Sequence, residues 1–232
     1  MKTYNFYATL FDAFQRYFDA AEIWDKYYTE KFTLEEYEAQ AEKELLDKIN
    51  RVPFVSEAAD KGTAFNQLID SIITETQQDN IKLVNKDYIV TVNRDYYFDA
   101  EICKDISMNF IDCIPQYFTQ KLLEGADYNV MLYGYIDMVA PFKLIDIKTT
   151  AKYESFKYRK NWQHKVYPFC MNNISDIFEY YVVEFASEIR VHREVYNYLP
   201  SYTADILEMI DKMILFIENH RTLITDKKIV HD

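Results

Sequence analysis

The sequence predicts an α/β protein in which a mixed central β-sheet is flanked by helices, with an additional helical region at the N-terminus. Two observations support this fold class. Segments with apolar residues at helical spacing alternate with short runs of β-branched and aromatic residues, which are typical of strands. Hydrophobic residues make up 49% of the 232 residues, so the chain can bury a substantial core. With 3 Gly, 5 Pro and no linker-like tract, we predict one domain over residues 1–232.

The N-terminal region, residues 1–60, is predicted to be helical. Residues 5–30 place Phe and Tyr among charged residues at roughly helical spacing. Thr33 and Glu36 have the spacing of a capping box, which predicts a second helix that begins there and extends to about residue 49.

Residues 62–198 are predicted to form the core of the domain, and residues 201–232 a C-terminal helical segment. A third helix is expected beyond Gly62, with an apolar stripe formed by Phe65, Leu68, Ile69 and Ile72. A small hairpin is expected over 82–93. Later strands are predicted at 117–123, 130–139, 143–149, 177–186 and 189–198. The remaining helices are predicted at about 98–112, 155–172 and 201–223.

Charge and cysteine content restrict the classes of function. The 26 basic and 38 acidic residues give a net charge of −12, so a nucleic-acid partner would require a local basic surface. The 3 cysteines have no Cys-x-x-Cys spacing, so we expect neither a zinc ribbon nor an iron–sulfur cluster. The sequence shows no signal peptide and no apolar stretch of membrane-spanning length, which predicts a cytoplasmic protein.

Two predicted strands carry charged residues where apolar ones are expected. Asp137 lies in the strand 130–139, and Asp146 and Lys148 lie in the strand 143–149. An isolated buried charge is costly, so such residues persist where they compensate one another or hold a cation. Carboxylates paired across a hairpin supply the oxygen ligands that Mg²⁺ or Mn²⁺ prefers. Asp146 and Lys148 are two residues apart, hence on one face of the strand.

These residue types match the demands of phosphodiester hydrolysis. That reaction needs a positioned water and compensation of the charge on the phosphate and the departing oxygen, which a carboxylate-bound metal beside a lysine can provide. A surface hairpin with a cross-strand ion pair is the alternative, because Asp-x-Lys triplets are common. The three residues alone leave both interpretations open.

Four short motifs occur in order along the chain. They are Gly-Thr followed by a helix at 62–70, Gly-x-x-Asp at 134–137, Asp-x-Lys at 146–148, and Gln-x-x-x-Tyr at 163–167. Together they resemble the PD-(D/E)XK nuclease superfamily, and specifically its branch of recombination-complex nuclease domains, CRISPR adaptation nucleases and phage exonucleases. The match spans about residues 53–170 and implies a restriction-endonuclease-like core.

The resemblance implies a role for each matched residue. Asp137 and Asp146 would bind Mg²⁺ or Mn²⁺, with the backbone carbonyl of Ile147 as a further ligand. Lys148 would orient the attacking water or stabilise charge. Gln163 and Tyr167 would contact the phosphate or support Lys148.

One position departs from the pattern of this branch. Where the branch usually has a metal-binding His, the chain has Asn66, whose amide oxygen is a weaker, uncharged ligand. Asp70 follows one helical turn later, at the position of an acidic residue in the branch. It is interpreted either as a compensating ligand or as a solvated charge at the helix edge.

The segment after the Asp-x-Lys strand is locally basic and aromatic. Its cations, which we predict to bind DNA phosphates, are Lys152, Lys157, Arg159, Lys160 and Lys165. Its aromatic residues can stack on unpaired bases or can equally form core contacts of an amphipathic helix.

The sequence therefore predicts a metal-dependent DNA exonuclease of recombination, repair or phage replication, in a bacterial or phage-infected cell. A recombinase or single-strand annealing protein is a candidate partner, a homo-oligomer remains open, and ATP is not expected because no phosphate-binding glycine loop is present. An endonuclease on the same fold is an alternative. Two noncatalytic alternatives are a nuclease-like module that binds DNA or protein with a decayed site, and an acidic DNA mimic.

Overall fold

A computed structural model describes residues 1–172 and 174–231, which form seven α-helices and ten β-strands. The helices are α1 Ala8–Phe18, α2 Ala20–Tyr27, α3 Leu34–Ile49, α4 Glu57–Thr74, α5 Ala100–Ser107, α6 Gln163–Cys170 and α7 Ser201–Asn219. The strands are β1 Lys2–Tyr7, β2 Ile81–Val84, β3 Asp87–Val92, β4 Arg94–Asp99, β5 Ile114–Glu124, β6 Tyr128–Ala140, β7 Lys143–Thr150, β8 Ile177–Phe185, β9 Ile189–Asn197 and β10 Val230–His231.

The central sheet has seven strands and mixed pairing. Its order is β10-β1-β6-β7-β8-β9, and β5 also pairs with β6. The pairs β1–β6 and β7–β8 are parallel and the others are antiparallel. Strands β2, β3 and β4 form a separate antiparallel sheet. The predicted α/β class, with a mixed central sheet flanked by helices, is confirmed.

Two hydrophobic cores lie on opposite faces of the central sheet. Tyr180 belongs to one core and its neighbour Tyr181 to the other, as expected for consecutive residues of a strand. Helices α1, α3, α6 and α7 contribute to the first core, and α4, α5 and the three-stranded sheet to the second. No helix in the described part of the chain is long and apolar enough to cross a membrane.

The capping box predicted at Thr33 is present. Thr33 Oγ1 accepts a hydrogen bond from the Glu36 N–H, and the Glu36 carboxylate accepts one from the Thr33 N–H, at 2.8 Å. Helix α4, in contrast, begins at Glu57 rather than beyond Gly62. Gly62 lies inside the helix, where a Cβ atom would be 3.0 Å from Thr149 Oγ1, so its role is to allow close approach of α4 to β7.

The helical interpretation of residues 5–30 is wrong at its beginning. Lys2–Tyr7 is strand β1, in which Tyr4 and Phe6 alternate towards the core. Its partner, residues 128–133 of β6, is far away in the sequence. The local aromatic spacing could not reveal this parallel pairing.

Two further helix predictions need correction. In the segment 98–112, strand β4 extends to Asp99, and α5 then ends at Ser107. In the segment 155–172, residues before Trp162 form turns and α6 begins only at Gln163. The reason is nonlocal: the Tyr153 and Tyr158 N–H groups donate to Glu184 and Glu194 of the β8–β9 hairpin, at 3.0 and 3.2 Å, and not to helical carbonyls.

Candidate active site

Strand β6 changes partners in the middle of the central sheet. Residues 128–133 pair with β1, whereas only residues 138–140 pair with β7. Strand β7 continues beside β8 along its full length. Asp137 and Asp146 are therefore the first residues beyond the β6–β7 pairing, where the two strands separate. We call this place the fork and define it as residues 134–137 of β6 and 146–148 of β7.

Strand β6 rotates at the fork. Ile136 packs in one core and Met138, two residues later, in the other, so the regular alternation of the strand is broken at Asp137. Gln116, which lies opposite Asp137 on β5, has a left-handed backbone with φ of 48°. The rotation directs the Asp137 side chain across the fork towards β7.

Asp137 connects the two strands of the fork. Its Oδ2 accepts a hydrogen bond from the Ile147 N–H at 2.8 Å, and Asn66 Nδ2 approaches the same oxygen at 3.4 Å. Burial, together with the nearby Asp146 carboxylate, raises the pKa of Asp137 to about 8, although Lys148 and the Ile147 N–H act in the opposite direction. A nearby cation would stabilise the ionised form of the buried Asp137 side chain.

Asp146, Lys148 and Gln163 form a closed triangle. Lys148 Nζ lies 2.7 Å from Asp146 Oδ2 and donates to Gln163 Oε1 at 2.7 Å, while Gln163 Nε2 donates to Asp146 Oδ1. Burial alone would lower the pKa of Lys148, but the carboxylates of Asp146 and Asp137 outweigh it and leave the pKa raised. Lys148 is therefore a protonated, oriented donor.

Tyr167 of α6 packs against the backbone of β6. A Cβ atom on Gly134 would lie 2.8 Å from Tyr167 Cε1 and 3.0 Å from its hydroxyl oxygen, so only glycine allows this approach. Burial raises the pKa of Tyr167 well above its usual range, and the hydroxyl stays neutral. The Gly-x-x-Asp and Gln-x-x-x-Tyr motifs thus contact each other in the structure.

Two oxygens of α4 face the fork without a partner. Asp70 Oδ2 accepts a hydrogen bond from Gln116 Nε2 at 2.9 Å. Within the described residues, Asp70 Oδ1 and Asn66 Oδ1 are buried and accept no hydrogen bond. Burial raises the pKa of Asp70 to about 6, even though the Gln116 hydrogen bond lowers it. Buried acceptors without a donor are costly, which makes these oxygens suited to a cation.

The candidate metal ligands are all oxygen atoms. In residues 1–172 and 174–231, no three His, Cys, Asp or Glu side chains lie close enough to hold a metal ion by themselves. Neutral oxygens must therefore complete any coordination sphere around Asp137 and Asp146. The Ile147 carbonyl and the unpartnered Asn66 oxygen are such donors, and the Asp70 carboxyl group is close enough to Asp137 to influence its charge. A set of this kind fits Mg²⁺ or Mn²⁺.

The predicted basic segment lies beside the end of β7, with several of its charges already engaged. Lys157 Nζ donates to Thr150 Oγ1 at 2.7 Å and to the Lys152 carbonyl at 3.1 Å. Lys152 pairs with Glu154, and Lys160 lies 3.9 Å from Asp19. These exposed pairs are weak and can exchange for phosphate contacts.

Lys165 has a different environment from the other predicted DNA-binding residues. Its Nζ pairs with Asp205 of α7 at 2.9 Å and lies over the rings of Trp162 and Tyr202. It therefore faces α7. Arg159 lies in the turn region and is exposed.

Asp12 of α1 was not found by the sequence analysis. Its Oδ1 accepts the Trp162 N–H at 2.7 Å, and Lys148 and Asp146 are close enough to influence its charge. Burial raises the pKa of Asp12 to about 6, against the effects of the Trp162 N–H and Lys148. The only signal in the sequence is an acidic residue directly after the buried Leu10 and Phe11.

A cleft of about 600 Å³ opens between α1 and α3, with Asp12 in its wall. Phe54, at its margin, is 83% exposed. The cleft lies within residues 1–60, the region that the sequence predicts to be helical. Its charged lining residues are Asp12, Arg16, Glu44, Asp47 and Lys48. With acids outnumbering bases, its charge does not select for phosphate.

Comparison with known proteins gives limited similarity. No family model matches the chain, and no curated protein matches its sequence. Its fold is similar to the crystal structure of SSO0001, with a TM-score of 0.49, 12% identity, and coverage of 91% of this chain and 75% of that one. It is also similar to a putative exonuclease from Eubacterium rectale, with a TM-score of 0.43, 11% identity, and coverage of 79% and 76%. Both scores are low, so the functional argument rests on the side chains of the fork.

Proposed function

We propose that this protein is a metal-dependent DNA nuclease, and more specifically an exonuclease of DNA recombination, repair or phage replication. The observation that carries the proposal is the fork. There, Asp137, Asp146 and Lys148 come together with Gln163, and the unpartnered oxygens of α4 face the same place. The four motifs that resemble PD-(D/E)XK nucleases are separate in sequence and adjacent here.

The side chains of the fork have separate tasks in this mechanism. Asp137, Asp146 and the Ile147 carbonyl would hold Mg²⁺ or Mn²⁺, with Asn66 and Asp70 beside them. When bound, the metal neutralises phosphate charge and lowers the pKa of a coordinated water. The amide oxygen of Asn66 makes the site weaker than one with a His nitrogen at that position.

Lys148 acts as a fixed cationic donor. An ammonium group has three N–H bonds, and Asp146 and Gln163 take two of them. The third can donate to the attacking water or to a phosphate oxygen, where positive charge stabilises the transition state. Gln163 orients Lys148 and Asp146 by a hydrogen bond to each, and Tyr167 supports this arrangement through its packing on Gly134.

The basic segment after β7 is the proposed DNA contact. Lys152, Lys157, Arg159 and Lys160 lie just beyond Thr150, on a segment anchored to the β8–β9 hairpin, and Lys165 follows in α6. A strand that followed these cations would reach the fork along β7. We further propose that the protein acts in the cytoplasm beside a recombinase or single-strand annealing protein and can self-associate.

One observation favours a second candidate, a noncatalytic nuclease-like module that binds DNA or protein. Asn66 stands where the resembling branch usually has a metal-binding His, and Asp146 is already neutralised by Lys148. If the site binds no metal, the same fold could bind DNA without cutting it. Cleavage separates the two candidates directly.

The test uses end-labelled linear DNA and closed circular DNA, each with Mg²⁺ or Mn²⁺. We expect metal-dependent loss of linear DNA that spares circles and stops with EDTA. Asp146→Ala and Lys148→Ala should abolish it, whereas Lys82→Ala, on the separate three-stranded sheet, should not. Folding of every variant is checked by circular dichroism.

Each outcome has a defined meaning. Nicked circles would identify an endonuclease with the same site. DNA binding without cleavage in either metal would favour the noncatalytic module. Full activity in folded Asp146→Ala and Lys148→Ala variants would contradict the proposed mechanism.

A further inference from the structure

In the described part of the chain, α6 begins without a side-chain cap from its own sequence. The residue before it, Trp162, is 5% exposed and donates its backbone N–H to Asp12 Oδ1 of α1 at 2.7 Å. Phe11, the neighbour of Asp12, lies against the Trp162 ring with 5.5 Å between the ring centroids. Two adjacent residues of α1 therefore fix the beginning of α6.

The beginning of α6 determines where Gln163 lies. Gln163 is the first residue of the helix, directly after Trp162, and it connects to Asp146 through Nε2 and to Lys148 through Oε1. A shift of the helix start would move this amide away from both partners. A buried N–H without an acceptor is costly, so loss of the Asp12 oxygen provides the driving force for such a shift.

We infer that Asp12 is a positioning residue for the nuclease reaction: by accepting the Trp162 N–H it fixes the start of α6 and holds Gln163 between Asp146 and Lys148. The inference rests on the proposed function for its kinetic consequences. Its structural content, the coupling of Asp12 to Gln163, is independent of catalysis. Asp12 acts here as an acceptor, so an asparagine, which keeps a carbonyl oxygen at the same place, should replace it.

The kinetic test compares Asp12→Ala with Asp12→Asn in the cleavage of linear DNA. Asp12→Ala should lower kcat by ~10-fold or more with KM within about twofold, as for residues that orient a site without touching substrate. Asp12→Asn should retain kcat within about threefold. Asp25→Ala, an exposed acid of α2, is the matched control. A loss in Asp12→Asn as large as in Asp12→Ala would overturn the inference.

A double-mutant cycle tests whether Asp12 acts through Gln163. If it does, Asp12→Ala should have little further effect in a Gln163→Ala background. If the fold-loss of kcat in the double variant equals the product of the two single-variant losses, Asp12 acts independently of Gln163 and the inference is overturned. Thermal midpoints are measured for all variants. If Asp12→Ala does not fold, Asp12→Ser, with a shorter acceptor, should give a smaller but measurable loss.

A spectroscopic test separates this inference from the proposed function. The side-chain amide signals of Gln163 in ¹⁵N-glutamine-labelled protein are identified by their absence in Gln163→Ala. They should shift or broaden in Asp12→Ala and remain in place in Asp12→Asn and Asp25→Ala. Unchanged signals in Asp12→Ala would overturn the coupling. Should the wild-type protein cleave no DNA, the proposed function fails and these signals still decide the inference.

Discussion

Two buried acidic sites lie one step apart in the register of β7 and β8, and they are built differently. Glu179, opposite Ile145, has Lys143 Nζ at 2.8 Å from one oxygen and Arg193 Nε at 3.6 Å from the other. In the fork, the carboxyl groups of Asp137 and Asp146 share Lys148, and the Asp70 carboxyl group of α4 adds a further acid beside Asp137. Glu179 has a cation beside each carboxylate oxygen, whereas the fork has more oxygen acceptors than cations to compensate them.

The difference separates a compensated ion pair from a group of acids that has capacity for a ligand. A buried carboxylate with cations on both oxygens is compensated and has no capacity for another ligand. Excess carboxyl groups and unpartnered oxygens, such as Asn66 Oδ1, leave negative potential that a metal ion can neutralise. Burial of an acidic residue alone therefore does not distinguish the two sites, whereas the degree of charge compensation does.

The largest expected effect comes from exchanging each acid for its amide. Asp146→Asn should lower DNA cleavage by at least ~100-fold, because it removes ligand charge from the fork. Glu179→Gln should retain cleavage within about threefold but lower the free energy of unfolding by ~1–3 kcal/mol, since Lys143 and Arg193 lose their carboxylate. Cleavage assays and urea denaturation measure the two effects. Equal loss of cleavage in both variants would remove the distinction between the sites.

Addition of Mg²⁺ should stabilise the folded protein through the acids of the fork and not through Glu179. At a Mg²⁺ concentration about 100 times Kd, the free energy of unfolding should rise by ~2.7 kcal/mol in the wild type and in Glu179→Gln. Asp137→Asn and Asp146→Asn should lose most of this increase. Thermal melting across a Mg²⁺ titration is the measurement, with Ca²⁺ as a comparison ion. A normal response in both fork variants would place metal binding elsewhere.

The fork should also give a pH dependence to the metal-free protein. Because the pKa of Asp137 is raised from 3.8 to about 8, the folded state binds its proton more tightly than the unfolded state does. Stability should therefore be greatest at low pH in this range and fall as pH rises from about 4 to about 8. Asp137→Asn should reduce this slope. Denaturation midpoints at several pH values, with EDTA, would show it, and an unchanged slope would contradict it.

The smallest expected effects concern the cations outside the fork. Lys157→Ala and Lys160→Ala should weaken DNA binding and each reduce the slope of log affinity against log salt by about 1. Lys165→Ala should have less effect, because the positive charge of Lys165 is already paired with Asp205. This pair is similar to the one between Lys143 and Glu179. Binding is measured with Asp146→Ala protein to prevent cleavage, and Lys82→Ala is the control. A dominant effect of Lys165 would reverse this order.

Elements with local causes were predictable from the sequence. The helix after Thr33 depends on a capping box within four residues, and β8 and β9 form a hairpin of neighbouring segments. The charged residues Asp137, Asp146 and Lys148 were visible because they interrupt apolar strands. Their motif spacing, together with the resemblance, led to Gln163 as their neighbour.

Features with distant causes were not predictable. Strand β1 is stabilised by pairing with residues of β6 that no local pattern indicates. The turns before α6 are held by Glu184 and Glu194, which appear later in the chain. Asp12 resembles any acidic residue of an amphipathic helix until the N–H of Trp162 is seen beside it.

Strand β6 pairs with β1 over residues 128–133 and with β7 over residues 138–140, and this arrangement has a consequence for the order of folding. The β5–β6 and β6–β7 pairings connect neighbours in the chain, whereas β1 must wait for β6 to be synthesised before it can pair. Contacts between distant segments close large loops, which costs entropy and makes their formation slow. Helix α1 follows β1 directly and carries Asp12, so its contact with Trp162 is expected among the late events. A newly made chain would then form the β6–β7 hairpin, with Asp137 and Asp146, early. Gln163 would reach its position between Asp146 and Lys148 only after β1 has paired with β6.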